Sequence, residues 1–317
     1  MSSAEEPLAD LPHAERIRSR RVKDGVATII LDATGLSETE AKRIESDVRA
    51  AVPAEVAGEV RVAMTASQPA RTLIAVASGK GGVGKSTVTA NLAVALARMG
   101  KRVGVIDADV YGPSQPTLLG SAAKPSAEND RLIPVEAHGL KFLSLGQLVS
   151  PGHALAWRGP MATGALAKLV EADWGDTELL LADMPPGTGD VQLSLIQKSR
   201  PDGAVIVSTP QDLSLIDARR AIDLFNKMGV PVLGLIENMA TYNCPHCGEP
   251  SHPFGTGGAE AAAHEMGVLF LGRLPLSLAL REASDAGDPP SAGVEADAFG
   301  AIAAQLLQAL AHSPSER

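Results

Sequence analysis

A glycine-rich segment containing two lysines is the first feature of this sequence whose residue types and spacing could do chemistry. It fits the pattern G-x-x-x-x-G-K-[ST] as Gly79-Lys80-Gly81-Gly82-Val83-Gly84-Lys85-Ser86. The glycines allow successive backbone N–H groups to surround phosphate oxygens; Lys85 is predicted to reach the β- and γ-phosphates of a nucleotide, and Ser86 to ligate Mg²⁺. The apolar run 73–77 precedes the segment, and a helical pattern follows it from about Lys85 to Met99. This context favours a phosphate-binding P-loop over a glycine-rich turn that matches by chance.

Lys80, the other lysine of the loop, has a different predicted role. A lysine at this position marks the deviant form of the Walker A motif, and the loop resembles those of the partitioning, nitrogenase iron-protein and arsenite-pump ATPases. In that class, the lysine reaches across a dimer interface to the nucleotide of the partner. A merely solvated Lys80 is the alternative, but its position inside the loop favours the role in trans.

Acidic residues follow two further apolar runs. Asp183 ends the run 179–183 and opens a Pro-Pro-Gly-Thr-Gly loop, as expected of a Walker B acid that holds Mg²⁺ through water beside a switch that answers to the γ-phosphate. Asp107 and Asp109 follow the run 103–107. Asp109 is predicted to orient the attacking water, and Asp107 to support the Mg²⁺ shell or the loop. A simple turn built by these aspartates with residues 111–113 is the competing interpretation.

Six apolar runs alternate with helical patterns from Thr72 onward and predict an α/β fold. Runs that are apolar on both faces are typical of a mainly parallel sheet with helices on both faces. Ligands then bind at the carboxyl ends of the strands, where the amide of Asn238 could pair with an adenine edge. Residues 132–145 are interpreted as an inserted hairpin. The predicted strands are 73–77, 103–107, 179–183, 204–208, 232–236 and 268–272.

Cys244 and Cys247 are the two cysteines of the chain and have C-x-x-C spacing. Two thiolates are half of a tetrahedral sulfur site, and no second pair exists to complete it within one chain. A redox dithiol, an inert pair and a metal centre shared by two chains on a two-fold axis are the possible interpretations. Because Lys80 independently indicates a two-fold dimer, the shared centre is favoured, with iron–sulfur and zinc both chemically possible.

Composition excludes several function classes. A net charge of −9 argues against wholesale nucleic-acid binding, and two cysteines argue against a disulfide-stapled secreted scaffold. Residues 1–10 contain three acidic side chains and no apolar core of a signal peptide. The stretch 298–315 lacks Asp, Glu, Lys and Arg but is rich in alanine, so it is interpreted as a packed amphipathic helix and not as a membrane span. The predicted location is cytoplasmic.

At 317 residues the chain is long enough for about two domains. A small α+β segment is predicted in front, with a strand at 26–31, a helix that starts at a Ser37 capping box, and a strand at 60–64. The predicted organisation is a polar tail at 1–13, a strand-helix-strand segment at 14–67, a linker at 68–71, a deviant P-loop ATPase domain carrying the C-x-x-C at 72–312, and a tail at 313–317.

Together these motifs closely resemble the Mrp/ApbC family of iron–sulfur cluster carrier ATPases, over residues 72–287. The segment before residue 72 looks like a shortened iron–sulfur assembly domain without cysteine. The resemblance rests on the P-loop and on Asp107-Ala108-Asp109-Val110-Tyr111-Gly112-Pro113-Ser114, Trp157-Arg158-Gly159-Pro160-Met161, Asp183-Met184-Pro185-Pro186-Gly187-Thr188-Gly189-Asp190, Glu237-Asn238-Met239, the C-x-x-C, Phe254-Gly255-Thr256-Gly257-Gly258 and Leu271-Gly272-Arg273-Leu274-Pro275-Leu276.

The resemblance implies a homodimer that bridges a 4Fe–4S cluster through Cys244 and Cys247 of both chains. It also implies ATP binding and slow ATP hydrolysis, coupled to cluster transfer from an assembly scaffold to apo iron–sulfur proteins, without nucleic acid or membrane as partner. A positioning or partitioning ATPase and a zinc-bridged regulatory dimer are the alternatives. The predicted catalytic residues are Lys80, Lys85, Asp109 and Asp183; those for Mg²⁺ are Ser86 and Asp183; those for ATP are Gly79, Lys80, Gly81, Gly82, Val83, Gly84, Lys85, Ser86, Thr87 and Asn238.

Overall fold

The computed structural model describes residue 8 and residues 11–33, 36, 38–65, 71–148, 159–290 and 292–312. The chain divides into two compact units, Met1–Ala70 and Arg71–Arg317. Several sequence predictions lie outside the described residues: Ser37 of the capping box, Trp157 and Arg158, most of the polar tail, residues 68–70 of the linker, and the tail 313–317.

The first unit is a three-stranded sheet with one helix. Its elements are β1 (Ile17–Lys23), β2 (Val26–Asp32), α1 (Glu38–Ala51) and β3 (Glu59–Thr65). Strand β1 is antiparallel to β2, and β3 is parallel to β2. Alternate residues of β2, such as Ile29 and Leu31, are buried against Ile44 and Val48 of α1, as the period of two in a half-buried strand requires. The predicted strand-helix-strand pattern is confirmed, and β1 adds a third strand at the edge.

The second unit is built on an eight-stranded sheet of order β15-β12-β11-β4-β10-β5-β9-β8. Every pair in it is parallel except the hairpin β8–β9 at one edge. The elements of this unit are β4 (Thr72–Ala77), α2 (Lys85–Arg98), β5 (Val103–Asp107), α3 (Gln115–Leu118), β6 (Ser126–Glu128), β7 (Arg131–Ile133), β8 (Val135–Ala137), β9 (Leu140–Ser144), α4 (Gly159–Val170), β10 (Leu179–Asp183), α5 (Asp190–Ser199), β11 (Gly203–Ser208), α6 (Asp212–Lys227), β12 (Val232–Glu237), β13 (Tyr242–Asn243), β14 (Pro250–Ser251), α7 (Gly258–Glu265), β15 (Phe270–Arg273), α8 (Leu278–Ala286) and α9 (Val294–His312).

This architecture confirms the predicted α/β fold and all six predicted parallel strands, with β15 beginning two residues later than expected. The hairpin predicted at 132–145 is present, but it is part of the main sheet and not an insertion outside it. Strands β8 and β9 do form a hairpin, but β9 also pairs in parallel with β5 and is therefore a seventh parallel strand of the main sheet. The reason is burial: Leu140, Phe142 and Leu143 of β9 are almost completely inaccessible to solvent.

Helices cover both faces of the sheet and bury two largely aliphatic cores. One core lies beneath α4, α5, α6 and α7 and contains Trp174 and Phe225. The other lies beneath α2 and α9 and contains Phe142 and Phe299. Helix α9 packs Ile302 and its neighbours into this second core, as the amphipathic interpretation of its sequence predicts. Among the described residues, no helix has the length and apolar character needed to cross a bilayer.

The register of the sheet positions the chemistry. Asp183 of β10 lies opposite Asp107 of β5, and Asp107 lies opposite Ser144 of β9. The strand β4, which leads into the P-loop, pairs with β10 on the other side. Because parallel strands end at the same edge of a sheet, their terminal side chains converge there.

Candidate functional site

The P-loop folds around a cavity of about 220 Å³ between β4 and α2. Gly82 and Gly84 adopt φ values of 81° and 82°, which side chains other than glycine rarely allow. The volume is below the roughly 300–1,000 Å³ of pockets that enclose whole ligands, so it suits the phosphates of a nucleotide rather than the complete molecule. Seven predicted nucleotide-binding residues line it: Gly81, Gly82, Val83, Gly84, Lys85, Ser86 and Thr87.

Gly79 lies outside the cavity lining and closes the base of the loop against α6. A Cβ atom at this position would lie 2.1 Å from the backbone carbonyl carbon and oxygen of Asp217. A Cβ at Gly81, by contrast, would meet only Pro186, at 3.9 Å. The loop therefore requires glycine at its first position for packing and not for an unusual φ.

We expect Gly79→Ala to weaken ATP binding about 10-fold or more, because overpacking against a backbone costs about 1–3 kcal/mol or displaces the loop. Gly300→Ala on α9 is the control, since it adds the same methyl group outside the site, where a Cβ would meet no atom within 4 Å. Isothermal titration of ATP into each variant measures the effect. Equal affinities for the two variants would contradict the packing argument.

Lys85 is buried and lies among acidic side chains at the mouth of the cavity. Its ammonium binds Asp183 Oδ1, lies 3.3 Å from Ser86 Oγ and 3.8 Å from Asp109 Oδ2. The other oxygen of Asp183 accepts a hydrogen bond of 2.8 Å from Gln115 Nε2. The structure thus brings together Lys85, Ser86, Asp109 and Asp183, as the sequence predicts for a nucleotide and magnesium site.

Asp107 is a second fully buried acid beside Asp183. Burial raises the pKa of its carboxyl to about 7, and the charge of Asp183 acts in the same direction. Its Oδ2 accepts hydrogen bonds from the Gln115 backbone N–H at 3.0 Å and from Ser144 Oγ at 2.8 Å. These contacts agree with the predicted role of Asp107 in supporting the loop, since they tie α3 and β9 to the end of β5.

Asp109 serves both interpretations that its sequence allows. Its Oδ1 accepts hydrogen bonds from the backbone N–H groups of Tyr111 at 3.1 Å and Gly112 at 3.2 Å, which builds the turn. Its Oδ2 faces Lys85. One carboxylate therefore shapes the loop with one oxygen and leaves the other directed at the P-loop lysine.

The donor set fits Mg²⁺. Magnesium prefers oxygen ligands and keeps part of its water shell, and the site offers the Ser86 hydroxyl and the carboxylates of Asp109 and Asp183. The ammonium of Lys85 lies within ion-pair distance of both carboxylates. In addition, the side-chain oxygen of Gln115 is buried without a hydrogen-bond partner in the described part of the chain. An unsatisfied acceptor in such a cluster is a natural contact for metal-bound water.

The loop after Asp183 is tied to the base of the P-loop. The backbone N–H of Met184 donates to Val76 O, and that of Gly187 donates to Ser78 O, both at 3.0 Å. The following residues, 188–190, are exposed. A loop anchored at one end and open at the other is consistent with the predicted switch.

Asn238 is buried, and its Nδ2 donates a 2.8 Å hydrogen bond to the Val83 carbonyl of the P-loop. The predicted contact of Asn238 with adenine stays a prediction; in this structure, the amide nitrogen binds the loop instead. Met239, which follows, has a φ of 59°, uncommon for a residue with a side chain. The end of β12 is therefore in direct contact with the phosphate-binding loop.

Lys80 is half-buried, and its carbonyl accepts a hydrogen bond from Ser78 Oγ at 2.9 Å. Within the described ranges of the chain, its ammonium has no ion-pair partner, unlike that of Lys85. The side chain is thus available for a contact with another molecule.

The two cysteines lie in the turn of a short hairpin, β13–β14, and the first of them is six residues after Asn238. Cys244 is half-buried and Cys247 is exposed. The pKa of the Cys244 thiol is lowered by hydrogen bonds to its sulfur. The largest effect comes from the Cys247 backbone, and smaller ones come from the His246 backbone and the Cys247 side chain. This favours the thiolate, which is the form that binds metals. No group of three or more Cys, His, Asp or Glu side chains among the described residues could hold a metal ion.

The motif analysis did not identify Gln115, Thr89 or Ser144. Thr89 Oγ1 lies 3.5 Å from Asp183 Oδ1, and Ser144 contacts Asp107. Ser144 ends a buried apolar run, as Asp107 and Asp183 do, and this position was a usable signal. Gln115 carries no such signal, since its side chain reaches the site through the fold of the loop before it.

Residues 70–311 match the family model described as "ParA: NUBPL iron-transfer P-loop NTPase". The chain is 50% identical over 246 residues, 77% of each chain, to the "iron-sulfur protein required for NADH dehydrogenase, mitochondrial" of Arabidopsis thaliana. It is 51% identical over 223 residues to an iron-sulfur cluster carrier protein of Pseudomonas fragi, covering 69% of this chain and 78% of the relative. A solved nucleotide-binding protein from Archaeoglobus fulgidus, in complex with ADP, is 39% identical with a TM-score of 0.62, covering 72% of this chain and 91% of that one.

Proposed function

This chain belongs to the NUBPL-type family of iron-transfer P-loop NTPases, and we propose that it is an ATP-dependent iron–sulfur cluster carrier. Two copies of the chain hold one 4Fe–4S cluster between them, through Cys244 and Cys247 of each copy. The cluster is cargo, received from an assembly scaffold and passed to apo iron–sulfur proteins. ATP binding and slow hydrolysis regulate the transfer.

One observation supports the coupling of cluster and nucleotide above the others. Asn238 contacts the P-loop carbonyl of Val83, and six residues later the same chain segment reaches Cys244. A change in the P-loop on nucleotide binding therefore has a short covalent path to the thiolates. Met239, with its uncommon φ of 59°, lies on that path, and its backbone conformation is the one that we expect to change when nucleotide binds.

The thiolates themselves argue for a shared site. One chain offers two sulfur ligands with C-x-x-C spacing, and an iron–sulfur cluster of the 4Fe–4S type takes four. The lowered pKa of the Cys244 thiol prepares one of them for metal binding. A two-fold axis would bring the second pair of thiolates. The Lys80 ammonium, which has no ion-pair partner in the described part of the chain, would act across the same axis at the nucleotide of the partner.

In the nucleotide site each residue has a distinct task. The loop N–H groups and Lys85 bind phosphates, Ser86 and Asp183 hold Mg²⁺, and Asp109 orients the attacking water. Bound Mg²⁺ would neutralise charge on the phosphate oxygens. In this structure Lys85 neutralises Asp183, so phosphates must compete with that carboxylate for the ammonium. If phosphates bind the ammonium, an oxygen of Asp183 would become free to hold Mg²⁺.

A transfer assay tests this function. We expect the anaerobically loaded dimer to restore an apo enzyme that needs a 4Fe–4S cluster. We expect Mg²⁺-ATP to change the transfer rate about 5-fold or more, which corresponds to the usual coupling of about 1–3 kcal/mol between two sites. Asp183→Asn is the control, because it removes the Mg²⁺ ligand and leaves the cysteines intact. An equal transfer rate with and without Mg²⁺-ATP would contradict the proposed coupling between the nucleotide and the cluster. ATP-dependent co-sedimentation with DNA or lipid vesicles, without any cluster, would replace the proposal by a partitioning-type ATPase.

A further inference from the structure

A fully buried glutamine joins three segments of the nucleotide site. Gln115, the first residue of α3, is 0% exposed. Its Nε2 donates hydrogen bonds to Asp183 Oδ2 at 2.8 Å and to the Ser86 carbonyl at 3.0 Å. Its backbone N–H donates to Asp107 Oδ2 at 3.0 Å. One residue therefore contacts the end of β10, the first turn of α2 and the end of β5.

Chemistry determines which way the Gln115 amide points. A carboxylate and a backbone carbonyl are acceptors only, so the NH₂ group must face both of them. The amide oxygen then points away from Asp183 and Ser86, where it is buried and has no partner in the described part of the chain. Buried acceptors are rarely left unpaired, because each has lost its hydrogen bonds to water on folding. The amide orientation in which Nε2 donates to both acceptors thus leaves the Gln115 oxygen, Oε1, without a donor among the described residues.

A hydrated cation is the donor that this position suits. The neighbouring side chains Ser86 and Asp183 form the oxygen-rich site for Mg²⁺, and Mg²⁺ keeps several waters whose hydrogens are strong donors. Lys85 is engaged with Asp183. If phosphates bind Lys85, then among the described residues Gln115 and Thr89 are the side chains still in contact with the Asp183 carboxylate.

We propose that Gln115 is the positioning residue of the magnesium site. Its amide hydrogens fix Asp183 and the backbone of Ser86, and its oxygen accepts a hydrogen bond from a water of the Mg²⁺ shell. The inference rests on the proposed Mg²⁺-nucleotide function. Groups that orient metal ligands typically change metal affinity by about 10–100-fold when they are removed.

Gln115→Met tests the proposal, because methionine keeps the length and volume of the side chain and removes both the donors and the acceptor. The dissociation constant of ATP is measured by isothermal titration, once with EDTA and once with MgCl₂. We expect affinity in EDTA within about 3-fold of wild type and a Mg²⁺ enhancement reduced about 10-fold or more. Gln192→Met is the matched control, since Gln192 is 1% exposed and its amide has no partner among the described residues; its Mg²⁺ enhancement should equal that of wild type.

Three results would overturn the proposal. One is a wild-type Mg²⁺ enhancement in Gln115→Met. Another is an equal loss of affinity with and without Mg²⁺, which would assign Gln115 a purely structural role. The third is a wild-type chain that binds ATP without any Mg²⁺ enhancement, which would also remove the proposed Mg²⁺-nucleotide function. If circular dichroism shows that Gln115→Met is unfolded, Gln115→Asn replaces it, because the shorter amide cannot reach both acceptors and should lose the same enhancement.

Discussion

Replacing Cys247 by alanine is expected to abolish stable cluster binding and, with it, the cluster-bridged dimer. The variant leaves one thiolate per chain, so a dimer offers two ligands where a 4Fe–4S cluster takes four. Cys247 is exposed and its removal leaves no cavity, so the fold should be unaffected. Anaerobic reconstitution with iron and sulfide, followed by iron analysis and measurement of the visible thiolate-to-iron absorbance, gives the result.

His246→Ala is the control for this variant. His246 lies between the two cysteines and is exposed, so the substitution alters the same hairpin without removing a thiolate. It should keep the full cluster content of wild type. A Cys247→Ala protein that still holds a complete cluster as a dimer would rule out the shared site.

Substituting Lys80 by alanine is expected to reduce ATP hydrolysis about 10²-fold or more while leaving ATP binding nearly unchanged. Charged groups that reach a nucleotide from a partner are worth about 10³–10⁵ in rate in other P-loop enzymes. Lys80 lies outside the lining of the phosphate cavity of its own chain and has no ion-pair partner among the described residues. Phosphate release under saturating ATP, together with titration of ATP, separates the two effects.

A mixing experiment distinguishes action in trans from action in cis. Lys85→Ala is also expected to be inactive, because it removes the phosphate-binding ammonium of the same chain. In a mixed dimer, the Lys80→Ala chain keeps an intact nucleotide site and receives Lys80 from its Lys85→Ala partner. Equal mixtures of the two inactive variants should therefore regain about one quarter of wild-type activity, since half of the dimers are mixed and each has one working site. Mixtures that stay inactive would show that Lys80 acts within its own chain.

The nucleotide site could be predicted from sequence because its residues occur at marked places. The P-loop has its own spacing. Asp107 and Asp183 each end a buried strand, and Asn238 directly follows one. Parallel strands end at one edge, so these residues had to converge. The C-x-x-C motif was recognisable by its spacing, whereas the hairpin β13–β14 that carries it was not predicted.

What sequence did not reveal depends on contacts between distant segments. Strand β9 has a local partner, β8, that suggests an isolated hairpin, but its parallel pairing with β5 joins residues nearly 40 positions apart, such as Asp107 and Ser144. Gln115 likewise reaches the site only because the loop after β5 places its side chain against Asp183. Glu237 is a further case. It belongs to the motif Glu237-Asn238-Met239, for which the sequence predicted no role of the glutamate. Its carboxylate accepts hydrogen bonds from the backbone N–H groups of Gly257 and Ala259 at the start of α7.

The central claim is that two identical chains share one iron–sulfur cluster, and the metal content of anaerobically purified protein tests it most directly. Iron, acid-labile sulfide and zinc are measured on a sample whose mass is determined in the same run by size-exclusion chromatography with light scattering. We expect a dimer with about four iron and four sulfide per two chains, and zinc far below one per dimer. A dimer with stoichiometric zinc, or a monomer that holds a complete cluster alone, would contradict it.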